Sequence, residues 1–339
     1  MILAAGVGSR LDPLTQGLPK PLCPVLGKPV MEHIITLCKN HGFTNLAANT
    51  HVLADKIHEY FKDPYKTFGV NLNFVHEKQL TGIAGGIRSC KKYLTDDVVL
   101  IIMGDALTDA DLSHLYKAHI NSNCPVTIGI KEVEDTTQFG VVVTDKNNRV
   151  ISFQEKPKPH EAKSNLANTA IYFFNQSILN EIPPESEAPK FDVATDLFKK
   201  LMSKNIPMQA ININAYWADI GTLKQYQQSV IDALDSKVKI DIKKRIEGKA
   251  YFADGVKIGE NVVIKGYVYV EKNCAIEDGA YIDNSIIWAD SKIGKNVRII
   301  NSILGNNCKV DDNTEMIANS VWAPESLIKN GTKPSVVFN

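Results

Sequence analysis

Residues 2–10 read Ile-Leu-Ala-Ala-Gly-Val-Gly-Ser-Arg, a short apolar run that passes directly into a glycine-rich turn. This order is typical of a strand followed by a turn whose backbone N–H groups point together at phosphate oxygens. Arg10 and Lys20 add two cations to the same region. The dinucleotide-binding fingerprint would need a third glycine at the position of Leu11, and the Gly-Lys-Ser/Thr of the P-loop is absent. We therefore expect a different kind of phosphate-binding loop.

The composition is that of an ordinary globular chain. Its 339 residues are 44% hydrophobic and carry 38 Lys and Arg against 38 Asp and Glu. A net charge of zero argues against nucleic-acid binding, which needs a basic excess. No apolar run approaches the ~18–20 residues of a membrane span, and no export signal opens the sequence, so we expect no membrane association. The six widely spaced cysteines indicate neither a zinc site nor a disulfide framework and favour a cytoplasmic location.

Short apolar runs alternate with helical patterns up to about residue 222, which predicts an α/β fold with a mostly parallel sheet. Val98–Met103 is apolar throughout and predicts a central strand covered on both faces. The other predicted strands are Ile2–Ala5, Asn45–Asn49, Leu72–Val75, Val126–Ile130 and Ile171–Phe174. The predicted helices are Pro29–Lys39, Leu53–Phe61, Ala84–Leu94 and Asp109–Ile120.

Small or aliphatic residues recur every six positions after residue 250, with Gly, Asn and Asp between them. This period predicts a parallel β-helix of about five coils, since a series of antiparallel hairpins would not keep one phase over six units. The phase slips near Lys292. The ladder consists of Val256, Val262, Val268, Cys274, Ala280 and Ile286. The predicted domains are 1–222, a helical and charged linker over 223–250, and the β-helix over 251–339.

The N-terminal pattern continues to Thr15 and then as Pro19-Lys-Pro-Leu-Cys-Pro-Val-Leu-Gly-Lys-Pro29. It resembles the sugar-1-phosphate nucleotidylyltransferases (NDP-sugar pyrophosphorylases), almost from end to end of the chain. The resemblance implies a Rossmann-like, GT-A-like domain with a mixed, mostly parallel sheet, followed by a left-handed β-helix. It also implies that a sugar 1-phosphate oxygen attacks the α-phosphorus of a nucleoside triphosphate and expels pyrophosphate. The implied nucleotide contacts are Leu3, Ala4, Ala5, Gly6, Gly8 and Ser9, with Arg10 and Lys20 as catalytic cations.

Two aspartates are candidates for a Mg²⁺ site. Asp105 follows Val98–Met103 at the carboxyl end of the predicted central strand, where open α/β sheets bind their ligands. Asp219, in Tyr216-Trp-Ala-Asp-Ile-Gly221, resembles the second ligand of the family. Mg²⁺ prefers one or two carboxylates together with phosphate oxygens, and it would neutralise charge on the attacked phosphate.

Three further segments match the sugar site of the family. In Phe153-Gln-Glu-Lys-Pro157, Glu155 is the implied acceptor for sugar hydroxyls and Lys156 the implied catalytic cation on the sugar phosphate. A compact ammonium suits this role because it binds phosphate as a point charge. Gly140 and Asn168 are the other implied sugar contacts. Many relatives have glycine where Ala170 stands, which leaves the shape of the pocket open.

The segment from Glu77 to Gly86 resembles the base-reading loop, with Gly82 at its turn. Relatives that use thymidylyl or uridylyl groups commonly have Gln at the position of Glu77. An ionised Glu only accepts hydrogen bonds, which suits the N1–H and N2–H donors of guanine. This favours GTP and, by family habit, mannose 1-phosphate or a related heptose phosphate. Two alternatives stay open: Glu77 is a solvated loop charge while Gln79 or the backbone reads the base, or the enzyme is a glucose-1-phosphate uridylyl- or thymidylyltransferase.

Two hypotheses from other classes remain at this stage. The chain could be a non-catalytic regulatory subunit with the same fold, although such subunits tend to lose the charged reaction residues that are all present here. It could also be a purely structural β-helix scaffold, which leaves the N-terminal two thirds unexplained. None of the eight histidines lies in the predicted β-helix, which argues against acyl transfer by a His base. We expect the β-helix or the linker to mediate homo-oligomer formation.

Overall fold

The computed structural model describes residues 1–242 and 248–338. The chain divides into two compact units, the first formed by Met1–Val7 and Ile34–Trp217 and the second by Gly8–His33 and Ala218–Asn339. These units follow the predicted domain limits only in part, because Gly8–His33 groups with the C-terminal residues. The prediction from sequence places that segment in the N-terminal domain, 1–222.

The strands up to residue 219 are, in chain order, β1 (Ile2–Ala4), β2 (Pro24–Val25), β3 (Lys28–Pro29), β4 (Asn45–Thr50), β5 (Asn71–His76), β6 (Val98–Met103), β7 (Ala106–Thr108), β8 (Val126–Glu132), β9 (Gly140–Thr144), β10 (Val150–Glu155), β11 (Leu166–Asn175), β12 (Met208–Asn212) and β13 (Trp217–Asp219). The first unit is built on a nine-stranded sheet with the path β10-β9-β11-β6-β1-β4-β5, and β8 pairs with both β11 and β12. Strands β6, β1, β4 and β5 run parallel, whereas β11 is antiparallel to β6. The predicted mixed, mostly parallel sheet is confirmed in type.

The predicted central strand is confirmed. Strand β6 lies between β1 and β11, and its residues Val99–Ile102 are at most 5% exposed. A strand buried on both faces needs apolar side chains at successive positions rather than at alternate ones. Strands β10 and β12 were not predicted, because polar residues interrupt their apolar patterns: Ser152 and Gln154 in β10, and Gln209 in β12.

The helices are α1 (Val30–Asn40), α2 (Ala54–Tyr60), α3 (Pro64–Phe68), α4 (Ile83–Cys90), α5 (Leu112–Ile120), α6 (Phe198–Ser203) and α7 (Leu223–Leu234). Helix α5 begins after Asp111, whose side chain accepts a hydrogen bond from the backbone N–H of His114 and so caps the helix. None of the described helices has the length and apolar character needed to cross a membrane. Helix α7 matches the helical part of the predicted linker over 223–250, and residues 235–242 of its charged part are not helical. Residues 243–247 of that linker lie outside the described part of the chain.

The C-terminal strands are β14 (Ala250–Phe252), β15 (Lys257–Ile258), β16 (Val263–Lys265), β17 (Val268–Val270), β18 (Ala275–Ile276), β19 (Tyr281–Asp283), β20 (Ile286–Ile287), β21 (Lys292–Ile293), β22 (Arg298–Ile300), β23 (Ile303–Leu304), β24 (Lys309–Val310), β25 (Ile317–Ala318), β26 (Ser320–Trp322), β27 (Leu327–Ile328) and β28 (Val336–Val337). Successive strands enter three parallel sheets in turn, as in a β-helix, and β28 adds antiparallel to β26. Their inward side chains form one core, which includes Ile276, Ile293 and Val310. The prediction of a parallel β-helix is confirmed, and its handedness stays a prediction.

The register of the coils explains the slip in the sequence period. Ile258 pairs with Ile276, eighteen residues further on, whereas Ile276 pairs with Ile293, seventeen further on. The shorter coil moves Ile287 into the core and leaves Ile286 on the other side of its strand. The assignment of Ile286 to the inward ladder is therefore wrong, and the slip lies before Lys292. Many coil corners are asparagines with positive φ, such as Asn296 at 56°, which this residue type tolerates through local hydrogen bonding.

Candidate active site

The predicted site residues fall into two groups, one in each compact unit. In the first unit, β1 carries Leu3 and Ala4 to the carboxyl edge of the sheet, and Ala5 and Gly6 follow. Asp105 follows the neighbouring strand β6 at the same edge and is 6% exposed. A Cβ built on Gly6 would lie 3.6 Å from Asp105 Oδ2, so the carboxylate lies against the start of the glycine-rich turn.

Gly104 explains why the Asp105 turn can lie so near β1. A Cβ at Gly104 would lie 2.8 Å from Ile2 Cγ2 and 3.1 Å from the Leu3 carbonyl oxygen. Real Cβ atoms do not approach other atoms to 2.8 Å, so a larger residue here would push the two strand ends apart. The dipeptide Gly104-Asp105 thus pairs a residue that permits close approach with a residue that supplies a carboxylate.

Glu77 is held from both sides at the end of β5. Its Oε1 accepts a hydrogen bond from Asn49 Nδ2 at 2.5 Å, and its Oε2 accepts one from Thr81 Oγ1 at 2.9 Å. The residue is 6% exposed, so the alternative of a solvated loop charge is wrong. Gln79, by contrast, is exposed. Each carboxylate oxygen keeps acceptor capacity beyond one hydrogen bond, so Glu77 can still accept from a ligand.

Asn49 is a site residue that the sequence patterns did not single out. Its Oδ1 accepts the backbone N–H of Ala4 at 3.0 Å while its Nδ2 donates to Glu77. Because the Ala4 group can only donate, the orientation of this amide is fixed, and it requires an acceptor at position 77. The available signal was its place beside Thr50 at the end of a parallel strand, where ligand-site residues concentrate.

Gly82 has the geometry of an obligatory glycine. Its φ is +82°, and a Cβ there would lie 2.6 Å from the Phe191 carbonyl oxygen. Residues with a side chain rarely adopt this φ, and none could accept the contact without moving the backbone. The turn that leads into α4 is therefore fixed in place by the absence of a side chain.

The predicted sugar residues Gly140, Glu155 and Asn168 lie on neighbouring strands of the first unit. Gly140 on β9 pairs with Glu155 on β10, and a Cβ at Gly140 would lie 3.1 Å from Glu155 Oε2 and 4.0 Å from Asn168 Cβ. Asn168 Nδ2 donates to Tyr172 Oη at 2.9 Å. Burial raises the pKa of Tyr172, so its hydroxyl remains a neutral partner for that amide.

Lys156 extends from the end of β10 with its side chain about half exposed. Its Nζ lies 3.9 Å from Glu155 Oε1, and its backbone N–H donates to the Phe139 carbonyl at 3.1 Å. Its φ is +45°, a conformation that costs a residue with a side chain about 1–2 kcal/mol. Strain of this kind is often retained where it directs a functional group.

The second unit brings three of the predicted charged residues together. Lys20 Nζ lies 3.2 Å from Asp219 Oδ1, and the two side chains are 8% and 25% exposed. A Cβ at Gly221 would lie 2.7 Å from Asp219 Oδ2 and 3.2 Å from Arg10 Nη2. The missing side chain at Gly221 thus leaves room for a carboxylate and a guanidinium. Two cations and one anion at this location suit a ligand that is itself anionic.

Gly8 and Ser9 precede this cluster. Gly8 has a φ of +76°, and a Cβ there would lie 3.0 Å from Lys20 Cβ. Its carbonyl accepts hydrogen bonds from the Thr15 hydroxyl at 3.1 Å and from the Leu11 N–H at 2.9 Å. Ser9 is exposed. Hydrogen bonds from Leu11 and Thr15 therefore close the turn at Gly8, while Ser9 faces solvent.

The donor set suits Mg²⁺, because Asp105 is a buried carboxylate at the carboxyl edge of the sheet and hard cations prefer such oxygens. Asp105 belongs to the first unit and Asp219 to the second, so their convergence on one cation stays a prediction. Across residues 1–242 and 248–338, no group of three or more His, Cys, Asp or Glu side chains is arranged to hold a metal. A magnesium site would accordingly depend on phosphate oxygens of the substrate for its remaining ligands.

Comparisons with known proteins bear on the family of this chain. The nucleotidyl transferase family model matches residues 1–236, and the GMPPB C-terminal domain model matches residues 246–333. The chain is 33% identical to the UTP–glucose-1-phosphate uridylyltransferase of Synechocystis, over 100% of this chain and 95% of that protein. The chain belongs to the sugar-1-phosphate nucleotidylyltransferase family. It is a nucleotidyltransferase enzyme, and the family uses a nucleoside triphosphate and a sugar 1-phosphate as substrates.

Other relatives of this nucleotidylyltransferase carry different names. The bifunctional protein GlmU of Methanocaldococcus jannaschii is 30% identical over 93% of this chain and 79% of its own. The glucose-1-phosphate adenylyltransferase of Bacillus cereus is 28% identical over 93% of both chains. A crystal structure of a putative glucose-1-phosphate thymidylyltransferase from Bacillus anthracis shares the fold, with a TM-score of 0.62 at 24% identity over 72% of this chain and 96% of that one. The alternative of a purely structural β-helix scaffold is wrong.

Proposed function

We propose that this nucleotidylyltransferase is a mannose-1-phosphate guanylyltransferase, which joins GTP and mannose 1-phosphate into GDP-mannose and pyrophosphate. The observation that carries the proposal is Glu77. It is a buried carboxylate at the base-reading loop, fixed by Asn49 and Thr81, and it offers only acceptors to a base. Guanine presents two adjacent donors, N1–H and N2–H, to such a group. The match of the GMPPB C-terminal domain model is a second, weaker support.

The reaction is a single displacement in which atoms and charge balance without a proton transfer. An oxygen of the sugar 1-phosphate forms a bond to the α-phosphorus of GTP while the bond from that phosphorus to the bridging oxygen of pyrophosphate breaks. Lys156 neutralises the sugar phosphate, and Arg10 and Lys20 neutralise the triphosphate and the leaving pyrophosphate. Glu155, Gly140 and Asn168 orient the sugar.

Mg²⁺, when bound by Asp105 and Asp219, would supply additional positive charge at the attacked phosphate. The chain's own contribution is to hold these carboxylates in place. Asp105 is buried against the Gly6 turn, and Asp219 is held by Lys20 at 3.2 Å. Position and electrostatics then carry the catalysis, and no covalent enzyme intermediate is needed.

A substrate panel tests the proposal. Release of pyrophosphate is measured for GTP, UTP, dTTP, ATP and CTP against mannose 1-phosphate, glucose 1-phosphate and a heptose 1-phosphate. We expect the highest kcat/KM for GTP with mannose 1-phosphate. Replacing Glu77 with Gln should lower the preference for GTP by about 10- to 100-fold, the worth of a bidentate base contact. Gln79→Ala is the matched control in the same loop and should leave the preference unchanged.

The second candidate is a glucose-1-phosphate uridylyl- or thymidylyltransferase. The relative from Synechocystis that matches the whole chain is named a uridylyltransferase, which favours this alternative. A panel result that peaks with UTP or dTTP and glucose 1-phosphate would refute the guanine assignment and leave the reaction class intact. A change of preference in Gln79→Ala but not in Glu77→Gln would assign base reading to Gln79.

Location and assembly complete the proposal. All six cysteines are buried free thiols, which suits a protein of the reducing cytoplasm. We expect a homo-oligomer that associates through the β-helix or the linker. Light scattering of the full chain would measure the subunit number. The same measurement on a variant with a charged residue in place of an exposed β-helix residue such as Leu327, which is 69% exposed, would test this surface.

A further inference from the structure

One outward face of the β-helix is buried. Its residues follow one another in register on a single sheet, and each is at most 3% exposed. They are Tyr251, Tyr269, Ile286, Ile303 and Val321. The alternate positions of the same strands belong to the β-helix core, so this row points away from that core. Other residues of the chain therefore cover it.

Part of the cover is the hairpin formed by β2 and β3. At its turn, the backbone N–H of Gly27 donates to Tyr269 Oη at 2.9 Å. Gly27 has a φ of +85°, and a Cβ there would lie 2.7 Å from Tyr251 Oη. The hydroxyl of Tyr269 in turn donates to the carboxylate of Glu271, which is 6% exposed. The turn thus rests on the β-helix at a distance that only glycine allows.

A second connection runs through helix α7. Trp288 is fully buried, and its indole Nε1–H donates to Tyr226 Oη at 2.8 Å. The same hydroxyl donates to the Pro24 carbonyl oxygen at 2.7 Å. The two rings meet edge to face, with centroids 5.8 Å apart at 89°. Because a hydroxyl has one proton, the Trp288 donor fixes the direction in which Tyr226 donates.

Pro24 lies four residues after the proposed catalytic Lys20. Lys20 begins a short 3₁₀-helix, and its carbonyl accepts the N–H of Cys23 at 3.0 Å. The Cys23 carbonyl then accepts the N–H of Val30 at 3.0 Å, which closes the hairpin behind it. The closed turn from Lys20 to Cys23 therefore sets the backbone position of Lys20. The next residue, Pro24, is the one whose carbonyl oxygen accepts the hydrogen bond from Tyr226.

We propose that Trp288 is a positioning residue for nucleotidyl transfer: through Tyr226 and the Pro24 carbonyl it keeps Lys20 beside Asp219. The β-helix is then part of the scaffold of the reaction rather than an appended module. This inference rests on the proposed role of Lys20 toward the triphosphate. It gives a role to the buried hydrogen bonds from Trp288 to Tyr226 and from Tyr226 to Pro24, which no step of the reaction uses directly.

The test compares three variants of the full chain, each of which removes one hydrogen-bonding group and keeps an aromatic ring. Trp288→Phe and Tyr226→Phe break the chain at different points. Trp322→Phe is the matched control, because its buried Nε1–H donates to Ser320 Oγ at 2.9 Å within the β-helix. For each variant, KM for the nucleoside triphosphate, KM for the sugar 1-phosphate, kcat and the thermal midpoint are measured.

We expect Trp288→Phe and Tyr226→Phe to raise the KM of the nucleoside triphosphate about 5- to 10-fold and to lower kcat, because Trp288→Phe removes one hydrogen bond of this connection and Tyr226→Phe removes both. The KM of the sugar 1-phosphate should stay within about twofold, since its proposed partners Glu155 and Lys156 belong to the first unit. The double variant should be no worse than Tyr226→Phe alone, because Trp288 acts through Tyr226. Trp322→Phe should leave both KM values unchanged while lowering the thermal midpoint comparably.

Either of two results would overturn the inference: equal changes of both KM values in Trp288→Phe and Trp322→Phe, or wild-type kinetics in Tyr226→Phe. Lys20→Gln separates this failure from failure of the proposed function. If Lys20→Gln is inactive while Tyr226→Phe is normal, only the positioning role is wrong. If Lys20→Gln is fully active, the proposed role of Lys20 is wrong as well.

Discussion

Ala170 and Ala167, three residues apart on β11, should respond to the same substitution with opposite signs. Ala170 has a φ of +55° and lies where the pairing of β11 with β8 shifts register between Asn168 and Tyr172. The Thr169 hydroxyl donates to the Gly129 carbonyl at 2.7 Å and holds this bulge in place. Ala167 is fully buried in extended strand, paired with Val141. We therefore expect Ala170→Gly to stabilise the protein and Ala167→Gly to destabilise it.

The magnitudes follow from the backbone at each position. A positive φ costs a residue with a side chain about 1–2 kcal/mol, and glycine gives back about 0.5–1 kcal/mol through the greater freedom of its unfolded chain. Ala170→Gly also loses a methyl group that is partly buried against the core, so its gain should be at most about 1 kcal/mol. Ala167→Gly loses a buried methyl group, about 0.8 kcal/mol, and bears the same glycine penalty. The loss should be about 1.5 kcal/mol, so the two variants should differ by about 2 kcal/mol.

Urea unfolding followed by far-ultraviolet circular dichroism measures this difference, with the slope of the transition checked for equality among the three proteins. The comparison is internally controlled because both variants lose one methyl group from one strand. Equal destabilisation of the two variants would show that Ala170 is not in the left-handed region in solution, and it would refute our account of the bulge.

Three further predictions concern charge and close approach. Asp105→Asn keeps the shape of the side chain, so it should lower turnover at least about 100-fold with an unchanged thermal midpoint; wild-type turnover would refute the proposed metal role. Gly221→Ala places a Cβ 2.7 Å from Asp219 Oδ2 and should lower kcat more than about tenfold, whereas Gly17→Ala, with no atom within 4 Å of its Cβ, should be neutral. Burial lowers the pKa of His33 to about 4, so the unfolded chain binds a proton that the folded chain excludes as the pH falls from 6.5 to 4. Stability should drop by about 2 kcal/mol between pH 7 and pH 5, and a pH-independent urea midpoint would contradict this.

At the base-reading loop, the sequence motif predicted one site residue, Glu77, and missed another, Asn49. A glutamate at position 77 indicates a contact that only accepts hydrogen bonds. The sequence left open whether Glu77 contacts the base or is a solvated loop charge. Burial of Glu77 between Asn49 and Thr81 eliminates the solvated reading. Asn49 itself could not be found from its neighbours in sequence, because its partners are 45 and 28 residues away. Hydrogen bonds over such separations leave no local pattern.

Local periodicity was sufficient for the central strand Val98–Met103 and for the β-helix, because the side of an element that is buried must be apolar at the period of that element. It was insufficient for the one-residue slip at Ile286, since a shorter corner changes phase without changing composition. Contacts between segments that are far apart in the sequence cannot be predicted from periodicity at all. That Gly8–His33 joins the β-helix depends on hydrogen bonds such as the one between Gly27 and Tyr269, 242 residues apart. Such pairings are selected by the free energy of the whole packed chain, so they emerge only when distant elements meet.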